Sequence, residues 1–194
     1  MSQEPALSSR GTPPLRGWMV LFILSWLPLV LGMITRVQFA ARTPWWHNIY
    51  SLAPRAAALR AYWFVSTPII GLGLIAAAIL LLARRPSAAL VTALVLLGAV
   101  VINTGELAIV TLVNYDFTAA ISNGMHIPRE DVAGLQPGIQ ASLGSLIYTM
   151  SCLGFLFFGR RVQDDFGPVT VKRLCGWIGS IVSGEESDEE RPSN

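Results

Sequence analysis

The sequence predicts an all-α integral membrane protein: a four-helix bundle with both termini in the cytoplasm and an added C-terminal amphipathic helix. Three observations carry this. Hydrophobic residues make up 53% of the chain and charged residues only 13%, far from the balance of an ordinary soluble domain. The charges are also segregated. Four windows, Gly17–Thr35, Ala61–Ala83, Ser87–Tyr115 and Gly138–Gly159, contain no Lys, Arg or Asp, and Glu106 is their only acid. Each is long enough for a helix to cross a hydrocarbon core of about 30 Å, which takes about 20 residues. None has the polar face that a helix of a soluble protein keeps.

Residues 1–16 are rich in Ser and Pro and read as a disordered cytoplasmic N-terminus. Span one follows. Arg10 and Arg16 precede it, as in a signal peptide, but its apolar run is too long for a signal core. No small-x-small cleavage pattern follows closely, since Phe39 stands where a small residue is needed. It reads as a retained signal anchor, kinked at Pro28. The first outer loop, with Pro44, Trp45, Trp46, Ile49, Tyr50 and Pro54, is expected to lay aromatic rings in the interface.

Span two opens with Pro68 one to two turns in, where Ser66 and Thr67 can serve the carbonyls that proline leaves free. Gly73 and Ala77 form a small-xxx-small pair that lets another helix approach closely. In span four Gly138, Ser142, Ser145, Thr149 and Cys152 recur at helical spacing, a narrow, small and weakly polar face. It is expected to face the bundle interior, and is also the face through which a membrane-protein partner or a second copy could pack. Phe155, Phe157 and Phe158 read as lipid-facing or interfacial.

Lys and Arg placement sets the orientation. With the N-terminus inside, Arg10, Arg16, Arg84, Arg85, Arg160, Arg161, Lys172, Arg173 and Arg191 are inside, and Arg36, Arg42, Arg55, Arg60 and Arg129 are outside, nine against five. The short Arg84-Arg85-Pro86 turn weighs most. Trp18, Arg84, Arg85, Arg160 and Arg161 are the expected interface anchors.

Span three carries the chemistry. Asn103 and Glu106 are three apart and share a helix face. Glu106 lies 18 residues after Ala88, about 27 Å at 1.5 Å per residue, so it stands in the outer leaflet near the mouth of the bundle. The candidate intramembrane polar site is Glu106, Asn103, Ser66, Ser142 and Arg60, with Tyr62, Thr67, Gln140, Ser145 and Arg36 at the same level. Two roles stay open. Glu106 binds a proton or cation in a pocket open to the outside, or it pairs with Arg36 or Arg60 and fixes helix register.

No catalytic residue, cofactor or metal site is expected. The chain has two cysteines, Cys152 and Cys175, neither near a second thiol, and two histidines, His47 and His126, both in outer loops. His126, Arg129, Glu130 and Asp131 have no nucleophile beside them and read as a solvated loop, after a turn at residues 122–125. Within the cytoplasmic segment 160–184, Val171, Leu174, Cys175, Ile178, Ile181 and Val182 share one face, flanked by Lys172 and Arg173. That pattern predicts a helix lying on the inner leaflet. Residues 185–194 form an acidic disordered tail.

Gly17 and Trp18 entering span one, Arg84 and Arg85 between spans two and three, and Arg161, Val162 and Phe166 after span four resemble an uncharacterised four-span bacterial inner-membrane family, the domain of unknown function 2569. The likeness covers roughly residues 15–166. It departs from the family pattern at Met19 and at Asp164-Asp165, and the C-terminal helix and tail look like additions. It implies architecture and bacterial inner-membrane location, but no activity. The expected partner is the lipid bilayer, not nucleic acid. The expected role is a non-enzymatic accessory, scaffold or assembly subunit, with a small proton- or cation-coupled transporter or channel using Glu106 as the alternative.

Overall fold

The computed structural model describes residues 17–41, 50, 53–124 and 136–183, and among them every regular element is a helix. Seven helices follow in order: α1 (Gly17–Leu24), α2 (Leu27–Ala41), α3 (Ala56–Leu82), α4 (Ala88–Ser122), α5 (Gln136–Phe158), α6 (Arg160–Phe166) and α7 (Val171–Ser183). Among the described residues three stretches are long and apolar enough to cross a membrane: Gly17–Gln38, Ala56–Leu82 and Ala88–Ser122. A fourth, Ser142–Phe158, qualifies only with Arg160–Ser183, from which it is bent by 58°. Large apolar side chains such as Leu72, Val101 and Ile147 are exposed on the outer surface. In water they would make an aggregating patch; among lipid tails they need no cover.

The first span is broken where the sequence places its proline. Pro28 has no N–H to bond the carbonyl four residues back. At the break Trp26 N–H turns to the Ile23 carbonyl at 3.0 Å, a tighter bond three residues back. The Ser25 carbonyl instead accepts the Tyr148 hydroxyl of α5. Pro68, by contrast, lies within one continuous helix, α3.

Between α3 and α4 the chain reverses in five residues. Arg84 takes φ 53°, the left-handed region where glycine is usual, and Arg85 N–H reaches back to the Leu80 carbonyl at 3.2 Å. This is the Schellman closure of a helix C-terminus, and Pro86 prevents the helix from resuming. The long helices α3 and α4 therefore lie antiparallel. Gly73 and Ala77 hold them close: a Cβ on Gly73 would stand 3.0 Å from the Val95 side chain, and Ala77 is buried.

Helix α4 runs past the expected end of span three at Tyr115 to Ser122. The stretch 116–122, expected as loop, is helical because it still has something to pack on. Phe117 and Ala120 join Ala56, Leu59 and Trp63 in a small apolar cluster, and Asp116 pairs with Arg55 at 3.2 Å. The predicted turn sits at Asn123 and Gly124, the latter at φ 80°.

At the opposite end, next to the Arg84–Arg85 turn, the chain after α5 folds back. Val162, Phe166, Val169 and Leu174 are buried against the ends of the long helices, in one cluster with Met19, Ala88 and Leu90. Segment 160–166 is thus a helix of its own, docked on the ends of the long helices. Trp18, expected as an interface anchor, donates its indole N–H to Asp165 there at 2.9 Å. Phe155 and Phe158, expected to be lipid-facing or interfacial, are both exposed, and the Phe155 ring also lies 5.1 Å from that of Phe22.

Candidate functional site

The two apolar clusters leave a polar layer between them. On α4 the larger cluster ends near Ile102 and the smaller one begins at Ile109, and Asn103 and Glu106 fall in the gap. Both face inward, at 3% and 2% exposure, as their spacing requires.

Glu106 is held from three helices. Its Oε2 lies 3.0 Å from Arg36 Nη1 on α2. Its Oε1 accepts the Trp63 indole N–H of α3 at 3.1 Å and the Ser142 hydroxyl of α5 at 2.9 Å. Arg36 Nη2 then donates to Ser145 Oγ at 3.1 Å. All three candidate spans and α5 thus meet at one carboxylate, each with a directional contact. A carboxylate in a low-dielectric site needs this company: an unpaired charge there costs several kcal/mol or more, and in hydrocarbon no water is available to replace a missing partner.

One turn along the α4–α5 seam, Asn103 Nδ2 donates to Thr149 Oγ1 at 3.3 Å, and Thr149 donates to the Ser145 carbonyl at 2.7 Å. Ser142, Thr149 and Cys152 of the small-residue stripe are buried, and Ser142 and Thr149 bond α4. These three residues face inward as their spacing suggests. Those three residues are packed within the chain, and α5 turns Leu143, Ile147 and Met150 outward.

Of the residues expected at the site, Glu106 and Ser142 are in direct contact and Asn103 stands one turn away. Ser66 is buried on α3, but the α3 side chain that reaches Glu106 is Trp63. Arg60 is placed differently. Its Nε donates to the Ala40 carbonyl at 2.8 Å, its Nη1 to the Tyr50 hydroxyl at 3.1 Å, and its guanidinium lies 5.9 Å over the Phe64 ring. It caps the C-terminal end of α2, where carbonyls lack helix partners and a cation is favoured. The Glu106 pairing falls to Arg36, one turn inside α2. Gln140 is exposed.

Trp63 was legible in principle. It precedes the end of α3 by 82 − 63 = 19 residues, and Glu106 follows the start of α4 by 106 − 88 = 18. Across a short turn, equal counts bring residues of antiparallel helices level. An indole N–H inside a span also needs an acceptor. Glu106 stands near the middle of α4 only because the helix continues past Tyr115. Its distance from the Arg84–Arg85 turn remains about 27 Å.

A groove of about 560 Å³ runs between the α1–α2 span and α3, lined by Ile23, Leu27, Val30, Leu74, Ile75 and others, with Gln38 and Thr67 as its polar members. Neither Glu106, Arg36 nor Ser142 is in its wall. Trp26 lines it as well, and its buried indole N–H has no partner among the described residues. No three His, Cys, Asp or Glu side chains gather among the described residues. Trp45, Trp46, His47, His126, Arg129, Glu130 and Asp131 lie outside the described residues.

Comparison with family models, with curated proteins and with solved structures finds no match to this chain.

Proposed function

We propose that the chain is a non-enzymatic, multi-pass protein of the bacterial inner membrane. It has four spans in a bundle, both termini cytoplasmic, and acts as an accessory or assembly subunit that presents helix faces to membrane partners. In this orientation the Arg84–Arg85 turn and α6–α7 are cytoplasmic, and Glu106 lies in the outer leaflet. The likeness to the uncharacterised inner-membrane family supports the location.

One observation carries the role. Both oxygens of the intramembrane carboxylate are engaged by the chain itself, Oε2 by Arg36 and Oε1 by Trp63 and Ser142. A coupling carboxylate must exchange its proton or cation with a path; this one has exchanged water for fixed donors from three other helices. That suits a register lock, which fixes how the spans align and so what they present outward. The docked α6–α7 segment, burying Val162 and Leu174 at the far end, supports the same reading.

The second reading is a small proton- or cation-coupled transporter or channel. It is favoured by the depth of Glu106 alone, since intramembrane acids are functional candidates by default. Proteoliposomes with an internal pH dye and an imposed potential separate the two. The accessory reading expects no proton or monovalent-cation flux above that of Glu106→Gln, and a particle well above 21.0 kDa on extraction from native membranes in polymer discs. A flux that Glu106→Gln abolishes gives the site to transport.

A further inference from the structure

We propose that the α6–α7 elbow, with the Arg84–Arg85 turn beside it, is a docking surface for anionic phospholipid headgroups. The proposal needs membrane residence but not the accessory role.

Helix α7 does not have a single apolar face that is wholly buried. Leu174 is buried in the larger core cluster, and Trp177 and Ile178 pack against that cluster. Val171 and Val182 remain exposed, at 66% and 81%. At 100° per residue Val171 and Val182 lie within about 20° of each other, a second apolar stripe beside the docked one. The bend of 58° from α5 carries the segment off the span direction, at the level where the span ends. Phe158, the last residue of α5, is exposed at that level too. An apolar stripe there fits the boundary between headgroups and acyl chains.

The charges around it are unequal. Arg85, Arg160, Arg161 and Lys172 are exposed. Of the nearby acids among the described residues, Asp165 is bonded to Trp18, and Asp164 is exposed. Arg173 has a different task. Its Nη1 donates to the Phe166 carbonyl at 2.9 Å and to the Pro168 carbonyl at 3.3 Å, and so it braces the bend at Gly167. Gly167 itself is at φ 75°, and a Cβ there would stand 3.0 Å from Arg173 Nη1. The braced elbow thus holds three exposed cations and an apolar stripe, with the exposed Arg85 on the turn beside it. Phosphodiester headgroups with acyl chains below them match both features, and basic residues at such a surface favour anionic lipid.

The test is native mass spectrometry of the full chain in detergent, titrated with phosphatidylglycerol or phosphatidylcholine of the same acyl chains. Retention of phosphatidylglycerol should exceed phosphatidylcholine by about tenfold or more at low salt, and the excess should shrink as salt is raised. Arg160→Gln, Arg161→Gln and Lys172→Gln should each weaken it by about fivefold. Equal retention of the two lipids, a salt-independent excess, or an undiminished excess in the triple variant would overturn the proposal. So would an excess that emerges only when Glu185, Glu186, Asp188, Glu189 and Glu190 are neutralised, for then the chain's own acidic tail covers the patch. The salt series uses the unaltered protein, so the outcome does not hang on any variant folding.

Discussion

Replacing Arg36 by Met and Glu106 by Gln, singly and together, tests the register lock directly. Arg36 Nη1 and Glu106 Oε2 are 3.0 Å apart, with side-chain exposures of 14% and 2%. Two unit charges about 4 Å apart interact by about 4 kcal/mol at an effective dielectric of about 20. Partial access of Arg36 to the surface reduces this to about 3 kcal/mol. Removing one partner of a buried pair costs roughly 3–5 kcal/mol, because the other charge is stranded. Glu106→Gln falls at the low end, about 3 kcal/mol, since Arg36 can extend toward the interface and glutamine still accepts from Trp63 and Ser142. Arg36→Met falls higher, about 4 kcal/mol, since Glu106 has no route to water. The double variant strands neither charge and should lose about 4 kcal/mol, well short of the sum of about 7, a coupling of about 3 kcal/mol. Reversible unfolding of the purified chain in mixed micelles with rising dodecyl sulfate reads all three. Additive losses, with a coupling below about 0.5 kcal/mol, would refute the reasoning and make the pair incidental.

Other expectations use the same unfolding assay. Trp63→Phe should lose about 1.5–3 kcal/mol, the range for a hydrogen bond to a charged group, whereas Trp26→Phe, which removes an unpartnered buried donor, should lose less than about 1 kcal/mol. Equal losses would refute the assignment of donors. Gly105→Ala places a Cβ 2.7 Å from the Tyr62 hydroxyl, which bonds the Ile102 carbonyl at 2.6 Å. It should cost about 1–3 kcal/mol, and Tyr62→Phe in the same chain should recover part of that, which a backbone-propensity effect would not. Trp18→Phe breaks the bond to Asp165, so amide exchange should rise selectively across 160–183; uniform exchange would show that the bond does not hold the elbow.

Composition and spacing alone determined the helical class, the presence of several apolar stretches long enough to cross a membrane and the inward face of Asn103 and Glu106. Lipid removes the alternatives: a long apolar stretch without charge must satisfy its backbone internally, and the helix does so from local sequence. The same periodicity turned Ser142, Thr149 and Cys152 inward, a property of one helix regardless of its neighbours.

What packs on what was not local. Arg36 and Arg60 are both arginines expected near the level of Glu106, and composition cannot choose between them. The choice depends on where α2 ends, because its last carbonyls draw Arg60 and leave Arg36 facing Glu106. The extension of α4 past Tyr115 was hidden because Asn114, Tyr115 and Asp116 read as the end of a span; only the apolar cluster with Ala56 and Leu59, and the Arg55–Asp116 pair, make helix the better state there. The elbow at Gly167 likewise exists because Val162, Phe166 and Leu174 find a surface made by residues far off in the chain, such as Met19 and Leu90. A chain's solvent preference is written residue by residue, whereas a partner is a pairwise property of the assembled helices, and only the tertiary structure assigns it.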